Sequence, residues 1–429
     1  MWAMKKVVAG MAVVVLSAAL LAIWAPESPV NGVPAAEKVA GDGSGVTETP
    51  QVPAFYDIDT QNLPPAAPGT MIKTEKIEPP ANDKARDYQL YRFMYHSTTI
   101  DGEDIPVSGL YAVPNGEPPE TGWPLIAYAH GTMGAAPQCG LSIAPYRPKT
   151  PAGSQFTRKV EPLVEQGWAI VATDYQGMGP DTTPMYLLGD AEGRNLLDSV
   201  RAVQQWRDDI DRSKTVLWGH SQGGQAVIFA SQMQQDYAPD LAIPGVVSLA
   251  PAIIPPVPAA VEALGNLPDP SGRTYFVVMS TWTWTQNYPD LNEEDIFTEE
   301  GLNSLPAVEE LCADELREFY MKAPMATYVK FPLSQSLLQK INDNTAGQER
   351  LGRPMLLVQG MEDQVVINPA TPAYFSLICQ NGEAAQLELY PEDNHGSVVI
   401  NSADKVYQWI NDRFDGLAPP NNCPNRERI

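Results

Sequence analysis

The stretch VLWGHSQGGQAVIFA, residues 216–230, decides how the rest of the chain is read. A short apolar run meets glycines and polar residues around Ser221, and a second apolar run follows from Gln225. Residues 219–223, GHSQG, fit the pattern G-x-S-x-G. Between a strand and a helix this pattern puts the serine on a tight, strained turn, because Gly219 and Gly223 carry no β-carbons to collide with the neighbouring strand and helix. The helix N-terminus that follows then directs its partial positive charge at any anion developing beside the serine. The competing reading is a glycine-rich loop that joins a strand to a helix and does no chemistry.

The surroundings supply the strand–turn–helix setting. TVLWG (215–219) reads as a strand and QAVIFASQMQQD (225–236) as a helix. WPLIAYAHG (123–131), WAIVATD (168–174), GVVSLA (245–250), RPMLLVQG (353–360) and QLELYP (386–391) read as further strands. Their continuous apolar runs suit strands buried on both faces. FTRKVEPLVEQG (156–167), GRNLLDSVRAVQQWRDD (193–209) and ADKVYQWINDRF (403–414) read as helices, the first limited by Pro162. YQLYRFMYHSTT (88–99) and VSGLYAVP (107–114) alternate as an antiparallel pair around DGEDIP. The fold class is therefore α/β, a mostly parallel, doubly wound sheet with an antiparallel start.

Residues 251–350 break the alternation with prolines and short amphipathic patterns, which suggests an insertion between two sheet strands. The core is then 54–250 together with 351–429. Within the insertion, MSTWTWTQNYPDL (279–291) puts Trp282 and Trp284 on one face if extended, as part of a substrate tunnel or of the insertion's own core.

Of 429 residues, 44% are hydrophobic and 19% charged, enough for a substantial core. The formal net charge of −24 repels nucleic acid and anionic membrane surfaces, so nucleic-acid binding is set aside. At the N-terminus, Lys5 and Lys6 precede an apolar run from Val7 to Ala25, the layout of an export signal. Residues 1–25 are read as a removed signal peptide, with an uncleaved membrane anchor as the alternative. Residues 26–53, rich in Pro, Gly and Ser, read as a flexible linker. Both readings put the catalytic part outside the cytoplasm, secreted or periplasmic, or tethered to the membrane. The four cysteines, Cys139, Cys312, Cys379 and Cys423, suit two disulfides in an exported chain, with three pairings open. No clustered Cys/His spacing points to a metal, and no cofactor is called for.

A serine hydroxyl is a weak nucleophile and needs a base, which in turn needs an orienting acid. In this setting the order along the chain is Ser, then Asp or Glu, then His, each after a later strand. Asp363 follows MLLVQG, and His395 follows LELYP. His96, His130 and His220 are the rival histidines; Glu362 and Asp393 are the rival acids. A tetrahedral intermediate needs two donors. The backbone N–H of Gln222 is the first, and that of Thr132 in AHGTMG (129–134) the second, with Gly131 as its alternative. Asp174 in DYQGMG (174–179) is read as ordering its loop.

Together PGTMIKTEKI (68–77), AHGTMG with Cys139, DYQGMG, GHSQGG, the long insertion, Asp363 and His395 resemble the secretory lipase family of α/β-hydrolases, the yeast lipase A type. The likeness runs from about residue 54 to 423. It implies an α/β-hydrolase fold, a mainly helical cap built from 251–350, and ester hydrolysis at Ser221, His395 and Asp363. It also implies disulfides Cys139–Cys312 and Cys379–Cys423. The expected protein is an exported serine esterase or lipase acting on an ester or lipid substrate without a cofactor. An amide- or peptide-cleaving hydrolase and a non-catalytic binding module on the same fold are the alternatives.

Overall fold

The computed structural model describes residues 49–81, 86–253, 272–347, 349–366 and 368–424. The export segment 1–25, most of the linker and part of the insertion (254–271) lie outside the described residues.

Strand-forming runs assemble into one nine-stranded sheet of order β1-β2-β3-β5-β4-β6-β7-β8-β9. The strands are β1 (Met71–Lys76), β2 (Tyr88–Thr98), β3 (Asp104–Pro114), β4 (Trp123–Ala129), β5 (Ala169–Thr173), β6 (Ile210–His220), β7 (Gly245–Leu249), β8 (Met355–Gly360) and β9 (Ala385–Tyr390). β1, β2 and β3 are antiparallel, and β3 joins β5 antiparallel. From β5 across to β9 every pairing is parallel. Every residue of β5, β7 and β8 is buried, as continuous apolar runs require when helices cover both faces. β1 lies in the PGTMIKTEKI stretch, which periodicity alone does not single out as a strand.

The order contains a reversal. After β4 the chain builds β5 on one side, then crosses back to lay β6 on the other. In sheets of this kind the crevice at such a reversal, beyond the carboxyl ends of the strands, is where ligands bind. The loops after β4 and after β6 flank it, so AHGTMG and GHSQG meet there.

The helices differ from the sequence reading in three places. Helix α1 (Gly189–Trp206) begins four residues before the expected Gly193. Helix α2 (Gln222–Tyr237) starts directly after Ser221, and β6 runs on to His220, so the turn between them is Ser221 alone. The expected helix at 156–167 begins earlier, at Pro151, and widens into a π turn over Phe156–Val160 before Glu161–Val164. Pro162 has no N–H to give, which accounts for the irregular turn ahead of it.

The insertion is mainly helical where described: α3 (Thr274–Asn287), α4 (Ala313–Tyr320), α5 (Gln335–Asp343) and shorter turns between them. The tryptophan stretch belongs to α3 and is not extended. Residues two apart on a helix are separated by about 200°, so Trp282 and Trp284 do not share a face. Trp284 is buried, and its Nε1 donates to Tyr186 O (2.9 Å). Cys139–Cys312 ties the start of α4 to the loop after β4, and Ala313 N donates to Met133 O beside it (2.9 Å).

Beyond β8 and β9 stand α6 (Ala370–Gln380) and α7 (Ala403–Phe414), and α7 packs on β6 and β7. After α7 the tail turns back to β9. Cys423 is bonded to Cys379 of α6, while the Asn422 side chain accepts from Leu387 N and donates to Leu387 O, both at 2.9 Å. The two disulfides are those the family resemblance implied.

Candidate active site

At the end of β6 the chain must turn from a central strand into α2 within one residue. Ser221 makes that turn with φ 60° and ψ −120°, a region that residues with side chains rarely adopt. Its backbone is held on both sides: Ser221 N donates to Leu249 O (2.9 Å), and Ala252 N donates to Ser221 O (2.9 Å). The flanking glycines are required sterically. A β-carbon on Gly219 would lie 2.0 Å from Gly223 O, and one on Gly223 would lie 1.8 Å from Ala129 O. The second contact also shows how closely the α2 start abuts the end of β4. Ser221 is only 7% exposed.

Asp363 follows β8, and every oxygen of its carboxylate is engaged. Oδ2 accepts from His395 Nδ1 (2.7 Å) and from Gln359 Nε2 (3.0 Å); Oδ1 accepts from Val365 N (2.8 Å) and Val366 N (3.0 Å). Thr371 Oγ1 in turn donates to Gln359 Oε1 (2.6 Å). A carboxylate with four donors has one orientation open to it, and it accepts the Nδ1–H of His395. That tautomer leaves Nε2 of His395 as the basic nitrogen.

His220 brings His395 to the elbow without sharing its role. The two rings lie 4.5 Å apart, and His220 Nε2 is 2.9 Å from His395 O. Lys159 Nζ sits 3.0 Å from His220 Nδ1. An ammonium only donates, so Nδ1 accepts and the Nε2–H donates to the His395 carbonyl. Burial first, then the Lys159 charge, then His395 hold the His220 imidazole well below its usual range. It is a neutral clasp on the main chain of His395.

Of the other rivals, Glu362 is exposed to solvent and the rest are engaged elsewhere. Burial pushes His130 down to about 4, and its Nδ1 bonds Gly131 O (2.8 Å). His96 pairs with Asp104 (2.9 Å). Asp393 accepts from Ser397 Oγ (2.6 Å) and Asn401 Nδ2 (2.5 Å), ordering the loop that carries His395. Asp174, fully buried, accepts from Ser108 Oγ (2.6 Å) and Ser142 N (2.8 Å) and fixes the loop after β5.

Of the two expected donors, Gln222 is the first residue of α2. Thr132 lies in the loop after β4, whose Ala129 stands opposite Gly219 in the sheet register. The Thr132 hydroxyl meets Tyr186 OH (2.6 Å), on the loop that anchors Trp284.

Two residues beside the site escaped the sequence reading. Lys159 lies in a stretch that looks like an ordinary amphipathic helix. Glu192 lies in the first turn of α1, fully buried, and accepts from Gln222 Nε2 (2.8 Å) and Leu187 N (2.9 Å). No local pattern marks either residue, because His220, which meets Lys159, and Gln222, which meets Glu192, are distant in the chain.

Comparison with known proteins bears on family and fold. The family model described as "Secretory lipase" matches residues 155–422. A secreted triacylglycerol lipase of Malassezia globosa is 24% identical over 83% of this chain and 79% of its own length. A probable inactive lipase of Mycobacterium tuberculosis is also 24% identical, over 82% of this chain and 79% of its own. Candida antarctica lipase A shares the fold, with a TM-score of 0.70 at 20% identity across 88% of this chain and 89% of that one. With the family matched over more than half its length, the chain belongs to the secretory lipase family and is a secreted ester-cleaving hydrolase of α/β-hydrolase fold.

Proposed function

We propose that Ser221, His395 and Asp363 are the catalytic triad of this hydrolase, with the backbone N–H groups of Gln222 and Thr132 as its oxyanion donors. The observation that carries the reading is the positive-φ serine between β6 and α2, with the Asp363–His395 pair clasped beside it through His220. Ser221 Oγ attacks the ester carbonyl carbon while His395 Nε2 takes the hydroxyl proton. The carbonyl electron pair moves to oxygen, held by the two N–H groups. Collapse of the intermediate breaks the bond to the alcohol oxygen, which leaves with the proton from His395. Water, deprotonated by the same nitrogen, then attacks the acyl-serine; the bond to Ser221 Oγ breaks, His395 returns the proton to that oxygen, and the acid leaves. Asp363 holds the imidazole and stabilises its protonated form throughout.

The substrate is a carboxylic ester, in the lipid class by analogy with the triacylglycerol lipase named above. The helical segment within 251–350 acts as a cap over the elbow, which suits the low exposure of Ser221. The N-terminal segment directs export and is removed, leaving the catalytic domain free of the membrane. No helix among the described residues is long and apolar enough to cross a bilayer.

Ser221→Ala is expected to lower kcat by on the order of 10⁴-fold or more and to abolish labelling by a fluorophosphonate probe. Wild-type protein that is neither labelled nor able to cleave p-nitrophenyl esters would instead join the inactive relative. Hydrolysis measured from acetate to long-chain triglyceride esters, below and above the solubility limit, separates esterase from lipase behaviour. Matched anilides test for amide cleavage.

A further inference from the structure

Glu192 is the one fully buried carboxyl beside the oxyanion site among the described residues, and its surroundings are unusual. Its hydrogen-bond partners are Gln222 Nε2 and Leu187 N, both neutral donors, and both act on the same oxygen, Oε1. The titratable groups facing it are Tyr175 and Tyr186, on the loop between β5 and α1. Burial raises both phenols above their usual range, so they too are uncharged. The other Glu192 oxygen, Oε2, is buried without a partner. So is Oε1 of Gln222, the side chain to which Glu192 is already joined.

Buried polar atoms without partners call for an explanation. Two acceptors orphaned on one bonded pair have a simple one, a missing proton. A carboxylic acid and a carboxamide close a ring with two hydrogen bonds, N–H to one carboxyl oxygen and O–H back to the amide oxygen. We propose that Glu192 is a protonated positioning residue, its Oε2–H donating to Gln222 Oε1, which locks the Gln222 side chain and so aims the Gln222 backbone N–H at the oxyanion. Burial independently pushes the Glu192 carboxyl up to about 8, which keeps the acid neutral at physiological pH. Deprotonation replaces the O–H donor with an acceptor facing an acceptor and drives the two side chains apart. The inference rests on Gln222 being an oxyanion donor.

Three variants and one spectrum test it. Glu192→Gln keeps a donor where the acid had its O–H, so kcat should stay near the wild-type value. Glu192→Ala removes the ring and should lower kcat by on the order of tenfold or more, with KM little changed. Wild-type kcat should decline as pH rises through about 8, the raised value for this acid, and Glu192→Gln should lose that alkaline decline. Infrared difference spectra at pH 6, wild type minus Glu192→Gln, should show a protonated carboxyl band, a signal independent of turnover. Equal loss of kcat in the Gln and Ala variants, or absence of that band, overturns the role of Glu192. Fluorophosphonate labelling separates the two levels: a labelled Glu192→Ala protein with unchanged kcat sinks only this inference, whereas an unlabelled wild type removes the site beneath it. Gln222→Ala, which keeps the backbone N–H but loses the ring, should reproduce the Glu192→Ala loss; full activity there counts against the inference.

Discussion

Asp363 shows how much a single side chain can be constrained. It faces four donors, two of them backbone N–H groups of its own loop, so it cannot turn away from His395. In Asp363→Asn the new NH₂ must confront either those backbone donors or the Nδ1–H of His395. The imidazole then takes the wrong tautomer, and kcat should fall by about 10⁴-fold with the fold intact, measurable as ester turnover beside an unchanged circular dichroism spectrum. The positions of Asp363 and His395 were legible because each follows a readable apolar strand, and chain order restricted the choice. Glu192 was not legible. The periodic pattern of α1 becomes visible only from Gly193, one residue after it, and its burial depends on the 175–188 loop and on α2. Its chemistry is made by tertiary packing, so a glutamate in the sequence AEGRN carries no mark of it.

At the scale of elements, the elbow is fixed by clearance as much as by hydrogen bonds. The Gly223 position lies against the Ala129 carbonyl, so β4, β6 and the start of α2 are mutually gauged at that point. Gly223→Ala places a methyl 1.8 Å from that oxygen, and no side-chain rotation relieves a clash between β-carbon and backbone. The expected result is either loss of soluble protein or a folded protein in which fluorophosphonate labelling of Ser221 is slowed by orders of magnitude. Wild-type labelling in that variant would mean that the two elements are not so tightly gauged. Sequence pattern found this turn because strand, glycine and helix signals lie adjacent. At α3 it left the element open, because Trp and Thr alternate in a way that imitates a strand. The indole of Trp284 is buried under Tyr186, so packing overrides the β-like alternation and the segment winds into a helix. The edges of α1 and of the 151–164 helix were also misplaced, the first for want of a capping residue at Leu188 and the second through the π turn.

For the whole molecule, the cysteine pairs act at different ranges. Cys139–Cys312 closes a segment of 173 residues and pins the insertion to the loop that carries Thr132. A cross-link of that span restricts the unfolded chain by roughly 5 kcal/mol in the loop-entropy account. Replacing both residues with Ser should lower the Tm by several degrees and, because Ala313 N loses its fixed approach to Met133 O, loosen the insertion against the loop after β4. Calorimetry of the double variant, with ester turnover measured well below its Tm, checks both effects.

The tail beyond α7 has a consequence for how molecules meet one another. β9 is the last strand of the sheet, and an open strand edge is a template for pairing with another chain. Asn422 occupies that edge with its amide group, satisfying the N–H and C=O of Leu387, and its own N–H donates to Ala385 O (3.2 Å). Cys423–Cys379 keeps it there. The tail is thus a built-in blocker of sheet-to-sheet association, seated on the first half of β9. Asn422→Ala combined with Cys379→Ser and Cys423→Ser should leave turnover per folded molecule unchanged while light scattering after mild heating rises, as uncovered edges find each other. In a secreted enzyme, that strap protects the population rather than the reaction.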